Sequence, residues 1–227
     1  MTNVAENLGA IKERIVNAAK RAGRDPTKVH LVAVTKTHST EVVRAAYEAG
    51  HRIFGENYAQ ELESKASALP KDIEWHFIGK LQRNKVKKVL EKARMIHSVD
   101  NIELAREISK RAAEPVKVLV EVNLAQEETK SGASEEEAPR LAEEVSGLPN
   151  INLQGLMTMP PFFDDPDRAR PFFARLRYLR DKIEKSTGLP LPELSMGMTG
   201  DFEAAIEEGA TIVRIGTAIF GERRHDD

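Results

Sequence analysis

Short apolar, β-branched runs alternate along this chain with longer stretches whose apolar residues recur every three or four positions. The first helical stretch, Val4 to Ala22, carries Leu8, Ile11, Ile15, Val16 and Ala19 on one face and stops at Gly23. A turn at Asp25-Pro26-Thr27 leads into Val29 to Lys36, a nearly continuous apolar run typical of a parallel strand covered on both faces. Thr40 is the expected N-cap of a helix that buries Val42, Val43, Ala46 and Tyr47 and closes at Gly50.

The same unit then repeats. Further strands are predicted at Arg52 to Asn57, Glu74 to Gly79, Arg94 to Val99, Val116 to Asn123, Ile151 to Thr158, Glu193 to Met198 and Thr211 to Gly216. Helices are predicted between them at Tyr58 to Ala68, Leu81 to Lys92, Ile102 to Ala113 (capped by Asp100), Glu135 to Val145, Arg168 to Ser186 and Phe202 to Glu208. A polar loop, Gln126 to Ser134, and a loop carrying Pro160, Pro161 and Pro166 complete the connections.

Eight strands separated by mostly helical connections predict an α/β fold of the (β/α)8 TIM barrel kind, with the first helix packed outside it. A doubly wound sheet would also alternate, but it usually has fewer strands and a glycine-rich turn after the first. Here that turn reads Lys36-Thr37-His38-Ser39. No linker or low-complexity tract interrupts the pattern. Residues 1–227 are expected to form one domain, with the charged tail from Glu222 to Asp227 frayed.

Composition narrows the partners. With 227 residues, 41% of them apolar, the chain can bury a barrel-sized core. A formal net charge of −2 supplies no general field for nucleic acid or an anionic membrane. The absence of cysteine removes disulfides, thiolate zinc sites and cysteine nucleophiles together. Glu6, Lys12, Glu13 and Arg14 break up the amino-terminal apolar residues, and no later run is long enough to span a bilayer. The expectation is a soluble, cytoplasmic monomer with no nucleic-acid or membrane partner.

Chemistry should gather where the strands end. Barrel sites are assembled at the carboxyl ends of the strands, and Lys36 ends the first. Desolvation there would favour a neutral amine able to attack a carbonyl and form a Schiff base. The alternative is a lysine snorkelling to the rim. Asn57, His76, Gly79, Asn123, Thr158, Ser195, Gly197, Arg214, Gly216 and Thr217 reach the same rim. Ser195 to Asp201 leads into a helix, and Gly216-Thr217 adds a second small-residue turn, so the pair reads as a phosphate cradle. Singly, each would be an ordinary turn.

Arg214 sits among Ile212, Val213 and Ile215 and needs an acceptor, either a ligand atom or a carboxylate such as Glu56 or Glu121. His76 reads as a hydrogen-bonded core histidine. Lys80, Arg83, Lys85, Lys87 and Lys88 form a solvated helix face, and Glu135-Glu136-Glu137 compensates a helix dipole. No zinc-protease motif, P-loop, dinucleotide fingerprint or nucleophile elbow is present.

Several blocks resemble a known family. They are Val32 to Thr37, Phe54-Gly55-Glu56-Asn57-Tyr58, Trp75 to Lys85, Lys130-Ser131-Gly132, Gly155 to Met159, Leu194 to Met198 and Arg214 to Gly221. Together they resemble the YggS/PROSC family of pyridoxal 5′-phosphate (PLP) homeostasis proteins, which look like the barrel of alanine racemase standing alone. His38-Ser39 departs from the Lys-Pro of many relatives, and Ala125-Gln126 varies a loop.

The resemblance implies PLP carried on Lys36 as an internal aldimine, with Ser195, the Met196–Gly197 backbone, Gly216 and Thr217 on the phosphate. Arg214 would face the pyridine nitrogen and Asn57 would line the ring pocket. The implied role is to bind, buffer and deliver PLP to PLP-requiring apo-enzymes, with no catalytic or metal-binding residue assigned and no robust turnover. Racemisation needs acid/base groups on both faces of the cofactor, and the second domain that supplies one of them in alanine racemase is not expected here. An arginine at the ring nitrogen also makes a poor electron sink. Three rivals stay open: a PLP-dependent racemase, lyase or aldolase, a cofactor-free barrel aldolase using Lys36, and an adaptor using the Lys80–Lys88 helix.

Overall fold

Eight parallel strands close on themselves in chain order: β1 (His30–Val34), β2 (Ile53–Glu56), β3 (Glu74–Phe77), β4 (Ala93–Val99), β5 (Val116–Glu121), β6 (Ile151–Met157), β7 (Glu193–Ser195) and β8 (Ile212–Ile215). This is a computed structural model, and it describes residues 3–127 and 131–222. Closure comes from β8 pairing back onto β1, in register from His30↔Ile212 to Ala33↔Ile215. The α-helices are α1 (Val4–Arg21), α2 (Thr40–Glu48), α3 (Ala59–Ala68), α4 (Val86–Leu90), α5 (Ile102–Arg111), α6 (Ala138–Ser146), α7 (Arg170–Thr187), α8 (Phe202–Glu207) and α9 (Thr217–Phe220). The expected barrel with an added amino-terminal helix is therefore what the chain forms, and none of the described helices is long and apolar enough to cross a membrane.

Strand alternation builds two apolar layers. On β1, Leu31 and Ala33 join the large cluster beneath the helices, while Val32 turns into the bore with Met95, Leu119, Met157 and Ile212. Every strand is thus covered on both sides, which is why the runs read as nearly continuous. At Gly155, β6 passes so close to β7 that an added Cβ would stand 1.8 Å from the Glu193 carbonyl oxygen. Helix α1 lays Leu8, Ile11, Ile15, Ala18 and Ala19 against α8 and α9, and Asn7 donates to the Ile219 carbonyl at 3.1 Å.

Several predicted boundaries move. Ser39, not Thr40, holds the N-cap position of α2, its side chain bonding the Glu41 carboxylate and no backbone N–H of the first turn. Asn101, not Asp100, caps α5, its side chain accepting from Leu104 N at 2.8 Å. Two cap-type residues stand side by side at both sites, and spacing alone does not separate them. The basic helix shrinks to a 3₁₀ turn (Arg83–Lys85) and the five-residue α4, where only Val86 and Val89 are buried. Ser134 and Glu137 bond reciprocally as a capping box, so the regular part of α6 starts at Ala138. Helix α9 falls where only a turn was expected. Strands β1, β2, β3, β5, β6, β7 and β8 stop before Lys36, Asn57, Gly79, Asn123, Thr158, Met198 and Gly216, which places those residues on the rim loops. Lys130 of the Lys-Ser-Gly motif and tail residues 223–227 lie outside the described residues.

Candidate functional site

The chain leaves the sheet at Thr35, and both peptide groups around Lys36 are held from α3. Lys65 Nζ donates to the Thr35 carbonyl at 2.7 Å, and Thr37 N–H donates to Glu61 Oε2 at 2.8 Å. Lys65 also bonds Glu56 Oε1 at 2.6 Å and Glu61 Oε2 at 2.7 Å, and the Thr35 hydroxyl donates to Glu56 Oε1 at 2.6 Å. Lys65 has all three of its ammonium protons engaged, whereas Glu56 is satisfied only at Oε1: Oε2 is buried without a partner among the described residues, and burial raises the carboxyl against the pull of Lys65. Thr37 has φ 65°, a left-handed conformation that costs a β-branched residue about 1–3 kcal/mol and persists here because Glu61 holds its N–H.

Lys36 borders a cavity of about 240 Å³ together with Asn57, Ile78, Arg214, Gly216 and Thr217. The turn between β7 and α8 contributes Met198, Thr199, Gly200 and Asp201. The proline-rich loop closes the remaining side with Met159, Phe162 and Phe163, of which Phe162 is 83% exposed. Asn57 Oδ1 is buried without a hydrogen-bond partner among the described residues. A second cleft of about 470 Å³ shares Asn57 and runs past Tyr58, Gly79 and Lys85, away from Lys36.

Arg214 is buried at the base of the cavity. Its Nη1 donates to Ser195 Oγ at 2.5 Å and its Nη2 to the Thr158 carbonyl at 3.0 Å. Among the described residues no carboxylate lies within ion-pair distance of it: Glu56 is engaged by Lys65 and Thr35, and Glu121 and Asp201 act at longer range. Burial lowers the guanidinium pKa to about 10, with Glu121 and Asp201 opposing, so it stays charged at neutral pH. Burial also pushes the Glu121 carboxyl up to about 7, helped by Asp100 and opposed by Arg214 and Lys80. Asp201 is raised by burial too, although its Oδ1 accepts from Met198 N–H at 2.6 Å.

Five of the seven sequence-predicted site residues therefore meet around one cavity: Lys36, Asn57, Arg214, Gly216 and Thr217. Ser195 and Gly197 do not line it. Ser195 is fully buried in the bore, 2.9 Å from His97 Nδ1 as well as beneath Arg214. Gly197 has φ 94° and packs on α8, where a Cβ would lie 2.6 Å from Ala205 Cβ, so its part is to let the chain turn toward Thr199. His76 is the core histidine expected, 2.9 Å from His97. Thr158 bonds the Val122 carbonyl and Asn123 bonds the Glu127 carbonyl. Thr199, Gly200, Phe162, Phe163 and His97 were missed. Thr199 and Gly200 stood inside a recognised turn; His97 had only its place in an apolar run as a signal.

The alanine racemase N-terminal domain family matches residues 7–224. A pyridoxal phosphate homeostasis protein of Aquifex aeolicus is 48% identical over 227 residues, covering 98% of this chain and all of its own. The protein of that name from Escherichia coli is 39% identical, covering 98% of each. PipY of Synechococcus elongatus, solved with PLP bound, superposes with a TM-score of 0.84 at 34% identity, covering 96% of this chain and all of its own. Alanine racemase of Corynebacterium glutamicum, at 17% identity and TM-score 0.72, shares the fold; 62% of its length is covered.

Proposed function

This chain belongs to the family of pyridoxal phosphate homeostasis proteins, and we propose that it binds PLP covalently at Lys36 and buffers and delivers it. The observation that carries this is the convergence of Lys36, Arg214 and the two small-residue turns, Met198–Gly200 and Gly216–Thr217, on one cavity. The residues fit the group. A primary amine suits an aldehyde, free turn backbone and threonine hydroxyls suit a phosphate, and the unpartnered Asn57 Oδ1 awaits a donor. Bound there, the cofactor would supply an electrophilic carbonyl to amines.

The chain's own residues do the rest. Lys36 would hold the carbonyl carbon, and Thr199, Gly200, Gly216 and Thr217 the phosphate, with Gly197 shaping the turn that presents it. Ser195 would act through Arg214, because its hydroxyl is already engaged there. Arg214, charged at neutral pH, would disfavour protonation of a ring nitrogen placed against it, which would fit a carrier better than a carbanion-stabilising enzyme. The exposed Phe162 and Met159 flank the mouth and would shield the bond from water. We propose the cytoplasm as the compartment, a monomer as the working unit, and PLP-requiring apo-enzymes as the acceptors.

The purified protein should absorb in the visible, and Lys36→Ala should abolish that band. A wild-type protein that stays colourless after incubation with PLP refutes the reading. Substantial turnover of an amino acid, lost with Lys36→Ala, would replace the carrier by an enzyme.

A further inference from the structure

The bore holds polar side chains that the cofactor reading leaves without a role. Glu74 opens β3 at the end of the barrel opposite Lys36, and its Oε1 stands 3.2 Å from His76 Nε2. His76 Nδ1 lies 2.9 Å from His97 Nε2, and His97 Nδ1 lies 2.9 Å from Ser195 Oγ. Ser195 Oγ then accepts from Arg214 Nη1 at 2.5 Å. Four contacts in series connect one rim of the barrel to the guanidinium beneath the cavity. His76, His97 and Ser195 are all buried, in a bore otherwise filled by Val32, Met95, Leu119, Met157 and Ile212.

One direction of donation is consistent along the whole chain. The Glu74 carboxylate accepts only, so His76 donates to it from Nε2, with His76 Nδ1 taken as the acceptor of the next contact. His97 must then donate from Nε2, which leaves its Nδ1 to accept the Ser195 hydroxyl proton. Ser195 is left with lone pairs toward Arg214, which can only donate. Each group in the series has its partner, which is the condition under which a buried polar network can rigidify a core.

We propose that Glu74, His76, His97 and Ser195 form a positioning chain for Arg214, with His97 as its positioning residue. Held by Ser195 Oγ on one arm and the Thr158 carbonyl on the other, the guanidinium keeps one orientation and turns its remaining N–H groups toward the cavity. This rests on the reading that Arg214 faces the ring nitrogen of a bound cofactor.

Two measurements test it. On the cofactor-free protein, ¹⁵N NMR of labelled histidines should show both His76 and His97 protonated at Nε2, with Ser195→Ala shifting the His97 Nδ1 resonance. A His97 protonated at Nδ1 overturns the assignment. On protein loaded with PLP, His97→Phe keeps ring volume without the nitrogens and should shift the visible band in the same direction as Arg214→Met. An unshifted band in that variant overturns the positioning role. Should His97→Phe fail to fold, Ser195→Ala carries the same comparison. Failure of wild-type protein to take up PLP would sink the carrier reading itself, a result the tautomer measurement does not depend on.

Discussion

Glu121 offers a quantitative handle on the barrel mouth. Its side chain ends β5 inside the barrel, and burial, aided by Asp100, moves its carboxyl from the ordinary 4.5 to about 7. Between those values the folded protein holds a proton that the unfolded chain has released. Stability from this group is therefore full below pH 4.5 and falls as pH rises toward 7. The difference, 7 − 4.5 = 2.5 pH units at about 1.36 kcal/mol each, amounts to about 3 kcal/mol. Glu121→Gln keeps the volume and removes the titration. Urea unfolding followed through Trp75, the sole tryptophan and a buried one, should give variant and wild type equal stability near pH 4. The variant should be about 3 kcal/mol more stable at pH 8. Other titrating groups cancel in the difference, apart from Asp100, which is coupled to Glu121. A gap that stays constant with pH would refute the argument.

Two further outcomes follow from packing. Gly155→Ala places a methyl group against the Glu193 backbone, so it should cost about 3 kcal/mol or more in a chemical melt, the upper end for overpacking; a loss under about 1 kcal/mol would mean that β6 and β7 can part. Lys65→Met strands the Glu56 carboxylate, which is 0% exposed, and should cost about 3–5 kcal/mol at pH 8 and less as the pH is lowered, because burial already raises that carboxyl; a loss that does not change with pH would show that its charge is not what matters.

The barrel was legible because its strands are covered on both faces, so β-branched runs such as Val32-Ala33-Val34 stand out against helices with a single buried stripe. Rim residues were legible for a related reason: the break from apolar to polar at Lys36, Asn57 and Gly216 marks where each ladder stops. Ser195 was harder. It stands next to the small-residue turn in sequence, yet its side chain points into the bore, toward a histidine 98 positions away. His97 was invisible for the converse reason, since the partners that satisfy it lie on β3 and β7. The caps of α2 and α5 slipped by one residue because neighbouring Ser/Thr and Asp/Asn residues compete for one position.

The arrangement around Thr35 also separates two amines that lie within one network's reach. Lys65 directs its three ammonium protons at three oxygens, Thr35 O, Glu56 Oε1 and Glu61 Oε2, and in that state has no lone pair to offer an electrophile. An aldehyde entering the barrel mouth would meet a lysine already committed as a cation and a second one, Lys36, facing the cavity from the very backbone that the first secures. Borohydride reduction of the loaded protein should accordingly modify position 36 and spare position 65. Chemical selectivity between two identical functional groups would then come from the placement of two glutamates on neighbouring elements.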